Sequence, residues 1–397
     1  MNILEIVGRN DRLMQADLAS FGKELDTIVR SSRFLVLGAA GSIGQEVVKQ
    51  IFRRNPRVLH CVDISENNLT ELTRDLRSGM GYTDGETEFF AIDMTGPEFE
   101  PFMEAYGDYD YVLNLAALKH VRSDKHAFTL MRMIRTNVIA TDLSARLAAA
   151  RGASKYFAVS SDKAKNPANL MGSTKSIMED VLFTNRYSIP CSTARFANVA
   201  FSDGSLLHGW RQRLRKRQPI TAPSDIERYF IIPEEAGELC LFSALLGGHR
   251  EVFFPKDPKE IKLTGFPEIA RRFLEAEGYE AVEVETEDEA RSRVEELAAQ
   301  KKWPCLFFET DTSGEKPFEE FYADDDIIDW DRFRGIGVVK WSRDEDEAYE
   351  RTQSFIRRYH EINASSHWGR AEIVEMIRAA APDLSYVDTG KFLDSKM

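Results

Sequence analysis

The chain has 397 residues, 43% apolar and 29% charged, with a net charge of −13, the balance of an ordinary globular protein large enough for two domains. The charge is uneven: residues 251–397 hold 21 Lys and Arg against 35 Asp and Glu, and the first 250 hold 31 against 30, so a basic face for nucleic acid is not expected while the near-neutral part tolerates a polyanionic small ligand. No apolar run approaches the ~20 residues of a membrane span, and the N-terminus lacks the apolar core of a signal peptide, which makes a cytoplasmic protein the expectation.

In chain order, residues 1–32 read as an N-terminal helical arm with charged faces. RFLVLGAAGSIG (Arg33 to Gly44) is a β-branched apolar run ending in glycines, a strand entering a tight turn, and QEVVKQIFRR (Gln45 to Arg54) then has helical spacing. Strands are predicted at RVLHCVD (57–63), TEFFAID (87–93), YDYVLNLAA (109–117), KYFAVSS (155–161) and CSTARFANV (191–199), with helices between them, including one starting near Gly172. This alternation predicts an α/β fold, a doubly wound parallel sheet over 33–200. Beyond residue 200 the regularity fails. Residues 201–397 are expected to form a smaller α/β substrate-binding and acidic C-terminal region, with one strand–helix–strand unit over 280–309, an acidic loop at YADDDIIDWD, and helices at 344–362 and 369–381. The four cysteines (Cys61, Cys191, Cys240, Cys305) are far apart, so neither a metal site nor a disulfide framework is expected.

Gly38, Gly41 and Gly44 form G-x-x-G-x-x-G between a strand and a helix, where a tight turn and a helix N-terminus can receive a pyrophosphate. Asp63 ends the next strand, where an acid binds both ribose hydroxyls and repels a 2′-phosphate; NAD is therefore favoured over NADP. Asp93, ending the third strand, is a candidate for the adenine amino group. Ser42, Ile43, Met94, Ala116 and Ala117 complete the expected Rossmann-type cofactor surface.

The stretch SSDKAKNPANLMGSTK (Ser160 to Lys175) has the serine and lysine of a dehydrogenase site, but Met171 stands where a Tyr-x-x-x-Lys pair would place its tyrosine. Asp162 and Lys163 put an acid and a base at the ligand-binding end of the sheet. Together with GAAGSIG, NLAALKHV, ARFANV and ERYF, this stretch resembles the CapD-like polysaccharide-biosynthesis proteins over residues 33–235. These are extended short-chain dehydrogenases acting as UDP-N-acetylglucosamine 4,6-dehydratases. The resemblance implies Lys163 as the C5 base, Asp162 as the acid for the C6 leaving group, Ser161 near O4 and Lys175 on the nicotinamide ribose. The O4 proton goes to Ser161, Asp162 or water.

A lysine base must be neutral, so Lys163 is expected to be desolvated or beside Lys175. Lys119, His120, Asn198, Arg211 and Arg228 are the expected contacts to a UDP-linked N-acetylhexosamine, and Asn137 is expected to hold structural hydrogen bonds. A homo-oligomer built through the helices around 125–150 and 172–186 follows from the family alone. The rival readings are a nucleotide-sugar C4 epimerase and a catalytically silent NAD-binding protein.

Overall fold

A computed structural model describes residues 1–184, 187–256, 263–309, 319–365 and 367–386. Asn185 and Arg186, within the expected helix 172–186, and residues 387–397 of the expected C-terminal region lie outside the described residues. Six strands form where the apolar runs predict them: β1 Arg33–Leu37, β2 Val58–Asp63, β3 Glu86–Ala91, β4 Tyr111–Asn114, β5 Lys155–Val159 and β6 Cys191–Ala194. All neighbours among them pair in parallel, in the order β3-β2-β1-β4-β5-β6. That is the doubly wound Rossmann order, whose direction reverses between β1 and β4 and opens a ligand crevice at the strands' C-terminal ends. Buried apolar side chains cover both faces of β1 and β5, as a sheet sandwiched between helices requires.

The sheet does not stop at residue 200. Glu251–Pro255 adds a seventh parallel strand beside β6; Ile336–Lys340 then pairs antiparallel to it, and Ile328–Asp329 to that. The expected division at 200 therefore cuts through one nine-stranded sheet. The acidic loop YADDDIIDWD also contains its edge strand. The predicted run 191–199 breaks after Ala194, and Asn198–Val199 leaves the sheet to pair with Phe230–Ile231. The unit expected over 280–309 is present: Glu280–Val284 and Lys302–Phe308 are parallel, and Ile220–Pro223 completes a second, three-stranded sheet.

The N-terminal arm is docked rather than free. Arg9 and Arg12 pair with Glu235 and Glu238 of the helix Pro233–Leu246, and buried Asp17 accepts from the backbone N–H groups of Arg334 and Gly335, both at 2.7 Å.

The C-terminal helices Glu345–Ala364 and Arg370–Ala380 form close to where they are predicted. They pack on the helices Ala127–Ile134 and Leu170–Phe183, through Phe355, Tyr359, Ile362, Ile373 and Ile377 against Leu130, Ile134, Met171, Ile177 and Val181. All fourteen residues of Leu170–Phe183 are buried as a result. The helix surface expected to carry oligomerisation is thus covered in large part by the chain's own C-terminal pair. No helix among the described residues is long and apolar enough to cross a membrane.

Candidate active site

The glycine turn joins β1 to the helix Ser42–Phe52, which begins at Gly41 with no side chain capping its first N–H groups. Gly38 has φ +73°, and a Cβ there would lie 2.5 Å from the Ala116 nitrogen, so only glycine lets the turn pass the end of β4. Asp63 accepts from the Ala40 N–H (2.9 Å) and the Ser65 N–H (2.9 Å), which ties the glycine turn to the end of β2. Asp93 accepts from the N–H and hydroxyl of Thr95, each at 2.8 Å.

Between these elements lies a cavity of about 200 Å³. It is lined by Gly38, Gly41, Asp63, Asp93, Met94, Ala116 and Ala117 of the expected set. Two exposed arginines the sequence did not single out, Arg132 and Arg135, also line it and suit a polyanionic occupant. The uncapped helix start, the glycine cradle and the two strand-end carboxylates fit a dinucleotide.

The second functional turn follows β5. Ser161 caps a short 3₁₀ turn, accepting from the Lys163 N–H (3.2 Å) and donating its hydroxyl to Asp162 Oδ1 (2.8 Å). Lys163 Nζ reaches both Asp162 oxygens, at 3.2 and 3.1 Å. Asp162 is buried, whereas the Lys163 side chain is 35% exposed. Lys163 is therefore neither desolvated nor set beside Lys175, as expected from sequence; a carboxylate partner holds it instead. Asn169 caps the helix Leu170–Phe183 by accepting from the Gly172 N–H (2.8 Å), and a Cβ on Gly172 would overlap the Lys163 carbonyl, so this turn and helix are locked together.

Met171 is buried on that helix. Lys175 is wholly buried, donates to the Val159 carbonyl (2.9 Å) and contacts the Met178 sulfur; burial lowers its pKa to about 8, against the opposing charge of Glu179. The ammonium expected on a nicotinamide ribose thus ties the helix to the end of β5 and does not line the cavity.

Beneath the turn, Ser160 donates to Glu179 (2.6 Å), Glu179 pairs with Arg195, and Arg195 Nη1 donates to the Phe321 carbonyl (2.7 Å). This buried chain of contacts holds the segment starting at Glu319 over the site. Stacking of Phe321 on Phe254 and the packing of Tyr322 against it do the same.

Glu319 is the residue sequence reasoning missed. Its Oε1 accepts from Asn198 Nδ2 (2.6 Å) and lies 3.6 Å from Arg228 Nε. Asn198 and Arg228, expected on the diphosphate, are thus brought together, with a carboxyl group between them. Burial, then the Asp162 charge, raises the Glu319 pKa, against Arg228, the residue's own backbone N–H and Lys163. No spacing rule could have found it, since it stands 121 residues from Asn198 in an acidic stretch without a motif.

Lys119 donates to the Ser202 hydroxyl (3.2 Å), and burial lowers its pKa against Asp203. His120 packs against Gly204, and the Asp203 N–H donates to Ser42 Oγ (2.8 Å), so the loop 202–204 joins the β4 end to the glycine turn. Arg211, on the helix Leu206–Arg215, covers the Phe201 ring with its guanidinium at 4.1 Å. Asn137 has the expected structural role, accepting from the Leu118 N–H (2.9 Å) and donating to the Leu118 carbonyl (3.0 Å) and the Thr174 hydroxyl (2.9 Å).

A nine-stranded sheet with a glycine turn at its switch point and a Ser-Asp-Lys turn after β5 defines an α/β protein of the Rossmann type. More narrowly, the chain belongs to the polysaccharide biosynthesis protein family, whose model matches residues 34–338. It is similar to the uncharacterized membrane protein MJ1061 of Methanocaldococcus jannaschii, at 28% identity over 80% of this chain and 88% of that one. The capsular polysaccharide biosynthesis protein CapD of Staphylococcus aureus is 28% identical over 70% of this chain but only 45% of its own length, so the chain spans under half of that relative. The inverting UDP-N-acetylglucosamine 4,6-dehydratase of Campylobacter jejuni is 29% identical over 58% of this chain and 68% of its own.

Among solved structures, Pen from Bacillus thuringiensis superposes with a TM-score of 0.63 at 19% identity, covering 79% of this chain and 88% of that one. DesIV of Streptomyces venezuelae, a dTDP-glucose 4,6-dehydratase solved with NAD and TYD, gives 0.55 at 16%, covering 73% and 88%. At these identities the two structures establish the fold.

Proposed function

We propose that the protein is a nucleotide-sugar 4,6-dehydratase that uses NAD and converts UDP-N-acetylglucosamine to its 4-keto-6-deoxy form for glycan biosynthesis. The observation that carries this reading is the turn Ser161-Asp162-Lys163: three linked proton-transfer groups after β5, packed beside a helix that carries methionine where a tyrosine would stand. Simple oxidation, or epimerisation at C4, needs one group to move the O4 proton. Dehydration also needs a base at C5 and an acid at O6, and a turn with this many titratable groups suits the longer task. The names of the Campylobacter relative and of DesIV support the same class.

NAD, when bound, supplies a hydride acceptor that becomes the donor. Gly38, Gly41 and Ser42 would hold its pyrophosphate, with Asp63 at the ribose and Asp93 at the adenine. Asp63 favours NAD over its 2′-phosphorylated form by charge repulsion. Lys163 takes the C5 proton, Ser161 lies near O4 with its hydroxyl on Asp162, and Arg228, Asn198, Lys119 and His120 bind the nucleotide sugar. The test is product identity: purified protein given UDP-N-acetylglucosamine in D2O and followed by NMR is expected to lose the C6 hydroxymethyl signals and gain a methyl group. A galacto product without deuterium would replace this reading with C4 epimerisation, and no turnover despite bound nucleotide would replace it with a silent protein.

A further inference from the structure

The site holds a second carboxyl group, beside that of Asp162, that the Ser161-Asp162-Lys163 turn leaves unexplained. Glu319 reaches it from the far end of the chain, and its side chain is 3% exposed. Oε1 is engaged by Asn198 and Arg228, but the equally buried Oε2 has no hydrogen-bond partner among the described residues. A buried carboxylate oxygen without a donor is costly. A neutral carboxylic acid in the same place costs less, and its O–H is a donor that an oxygen of a bound substrate can accept.

Asp162 is the opposite case. Both its oxygens are occupied by donors, Ser161 Oγ and Lys163 Nζ, the environment of an anion rather than of a proton donor. We propose that Glu319, acting through Oε2, is the catalytic acid that protonates the departing O6, and that Asp162, as the partner of Ser161 and Lys163, accepts the O4 proton and gives none to O6. The assignment rests on the dehydratase reading.

It also resolves a proton count. In the structure Lys163 is paired with Asp162, and a base must first shed its proton. Moving that proton to Glu319 leaves the net charge of the three groups unchanged and produces the neutral amine and the neutral acid together. Glu319 is close enough to feel the charges of both Lys163 and Asp162, and burial already favours its protonated form. A diphosphate arriving at Arg228 would favour it further, since two anions would otherwise share one guanidinium.

Elimination then balances. Lys163 Nζ takes the C5 proton, the C5–H electron pair becomes the C5=C6 bond, and the C6–O6 pair leaves with oxygen. Oxygen takes the Glu319 proton and departs as water. Ser161 would pass the O4 proton to Asp162 as C4 is oxidised, NAD being the hydride acceptor and later the donor to C6. Lys163, whose ammonium hydrogens exchange with solvent, would then protonate C5, and the proton on Asp162 would restore Glu319.

The test separates partial reactions in the full chain supplied with NAD and UDP-N-acetylglucosamine in D2O. Glu319→Gln keeps an oxygen for Asn198 and loses only the transferable proton. In alkaline D2O, where the partly exposed Lys163 can shed its proton to solvent without Glu319, it is expected to exchange C5–H for deuterium at close to the wild-type rate while product formation falls by about a hundredfold or more. Glu319→Asp should recover part of the product rate, and Asp162→Asn should already fail at C5 exchange. Product formation by Glu319→Gln within about threefold of wild type, a range well below the effect of an acid catalyst, would overturn the assignment. So would equal loss of exchange, product and bound nucleotide, the mark of a residue that only shapes the site. An Asp162→Asn protein that exchanges C5 without eliminating would return the acid to Asp162. A wild-type chain making no 4-keto-6-deoxy product overturns the dehydratase reading itself, and this assignment with it.

Discussion

Residues 33–200 and 201–386 share one sheet but contribute to it in different ways. The first part supplies a repeated unit, strand then helix, and its functional groups sit at strand ends within a few residues of a glycine or a buried turn. The second part returns to the first at three places. It extends the sheet through Glu251–Pro255 and Ile336–Lys340, covers the helix Leu170–Phe183 with Glu345–Ala364 and Arg370–Ala380, and lays Glu319 over the Asp162-Lys163 turn. The difference teaches that the early part holds the regular frame around the cavity, and that the late part, which looks irregular in sequence, covers the candidate site.

The largest expected effect tests the early part alone. Lys163→Ala should lower product formation by about a thousandfold, within the range for loss of a general base, while bound nucleotide stays at the wild-type level by absorbance of the purified protein. Unaltered turnover would remove Lys163 from the site.

The next tests the joint between the parts. Arg195 carries the Phe321 carbonyl and the Glu179 carboxylate together, and Arg195→Met leaves that carboxylate buried without its partner. A loss of about 3–5 kcal/mol is expected in urea unfolding. A smaller loss with full activity would mean that the late segment is held over the site without this link.

Third, Phe355→Ala empties a buried position in the C-terminal cover and should cost about 3 kcal/mol. The wild-type chain is expected to sediment as a monomer, because its own helices occupy this surface; a dimer would show that the cover leaves room for a second copy.

The smallest effect is on pH. Asp124 caps the start of the helix bearing Met171, accepting from the Leu170 N–H (3.0 Å), and burial raises its pKa to about 7. A carboxyl group whose folded pKa lies above its unfolded value stabilises the fold at low pH, and that stability is lost as pH rises from about 4 through 7. Asp124→Asn should flatten this slope and stabilise the protein at pH 8 by about 1–2 kcal/mol, part of the ceiling set by about 1.4 kcal/mol per pKa unit. A variant with the wild-type slope would assign the titration elsewhere.

How much of this was readable from the sequence follows the same division. The strands β1 to β6 were legible because short apolar runs recur between helical stretches, and much of the cavity lining was legible because it lies just past the ends of β1 to β4. The strand Ile336–Lys340 was missed because Gly335 and Gly337 interrupt its pattern, and Gly335 is needed where the Leu13 carbonyl leaves no room for a Cβ.

The surroundings of Lys163 were misjudged for another reason. Its partner is the adjacent Asp162, and whether neighbours in sequence turn toward each other depends on the turn Ser161 caps. Glu319 could not be read at all, since one carboxylate among the 35 acids of residues 251–397 acquires meaning only from Asn198, Arg228 and Asp162 in space.

The central claim, dehydration rather than epimerisation, is tested most directly by following a label on the sugar. UDP-N-acetylglucosamine carrying deuterium at C4 should give a product whose C6 methyl group holds that deuterium and whose C5 hydrogen has come from solvent. Deuterium found at C4 of a hexose that keeps its C6 hydroxyl would contradict the account.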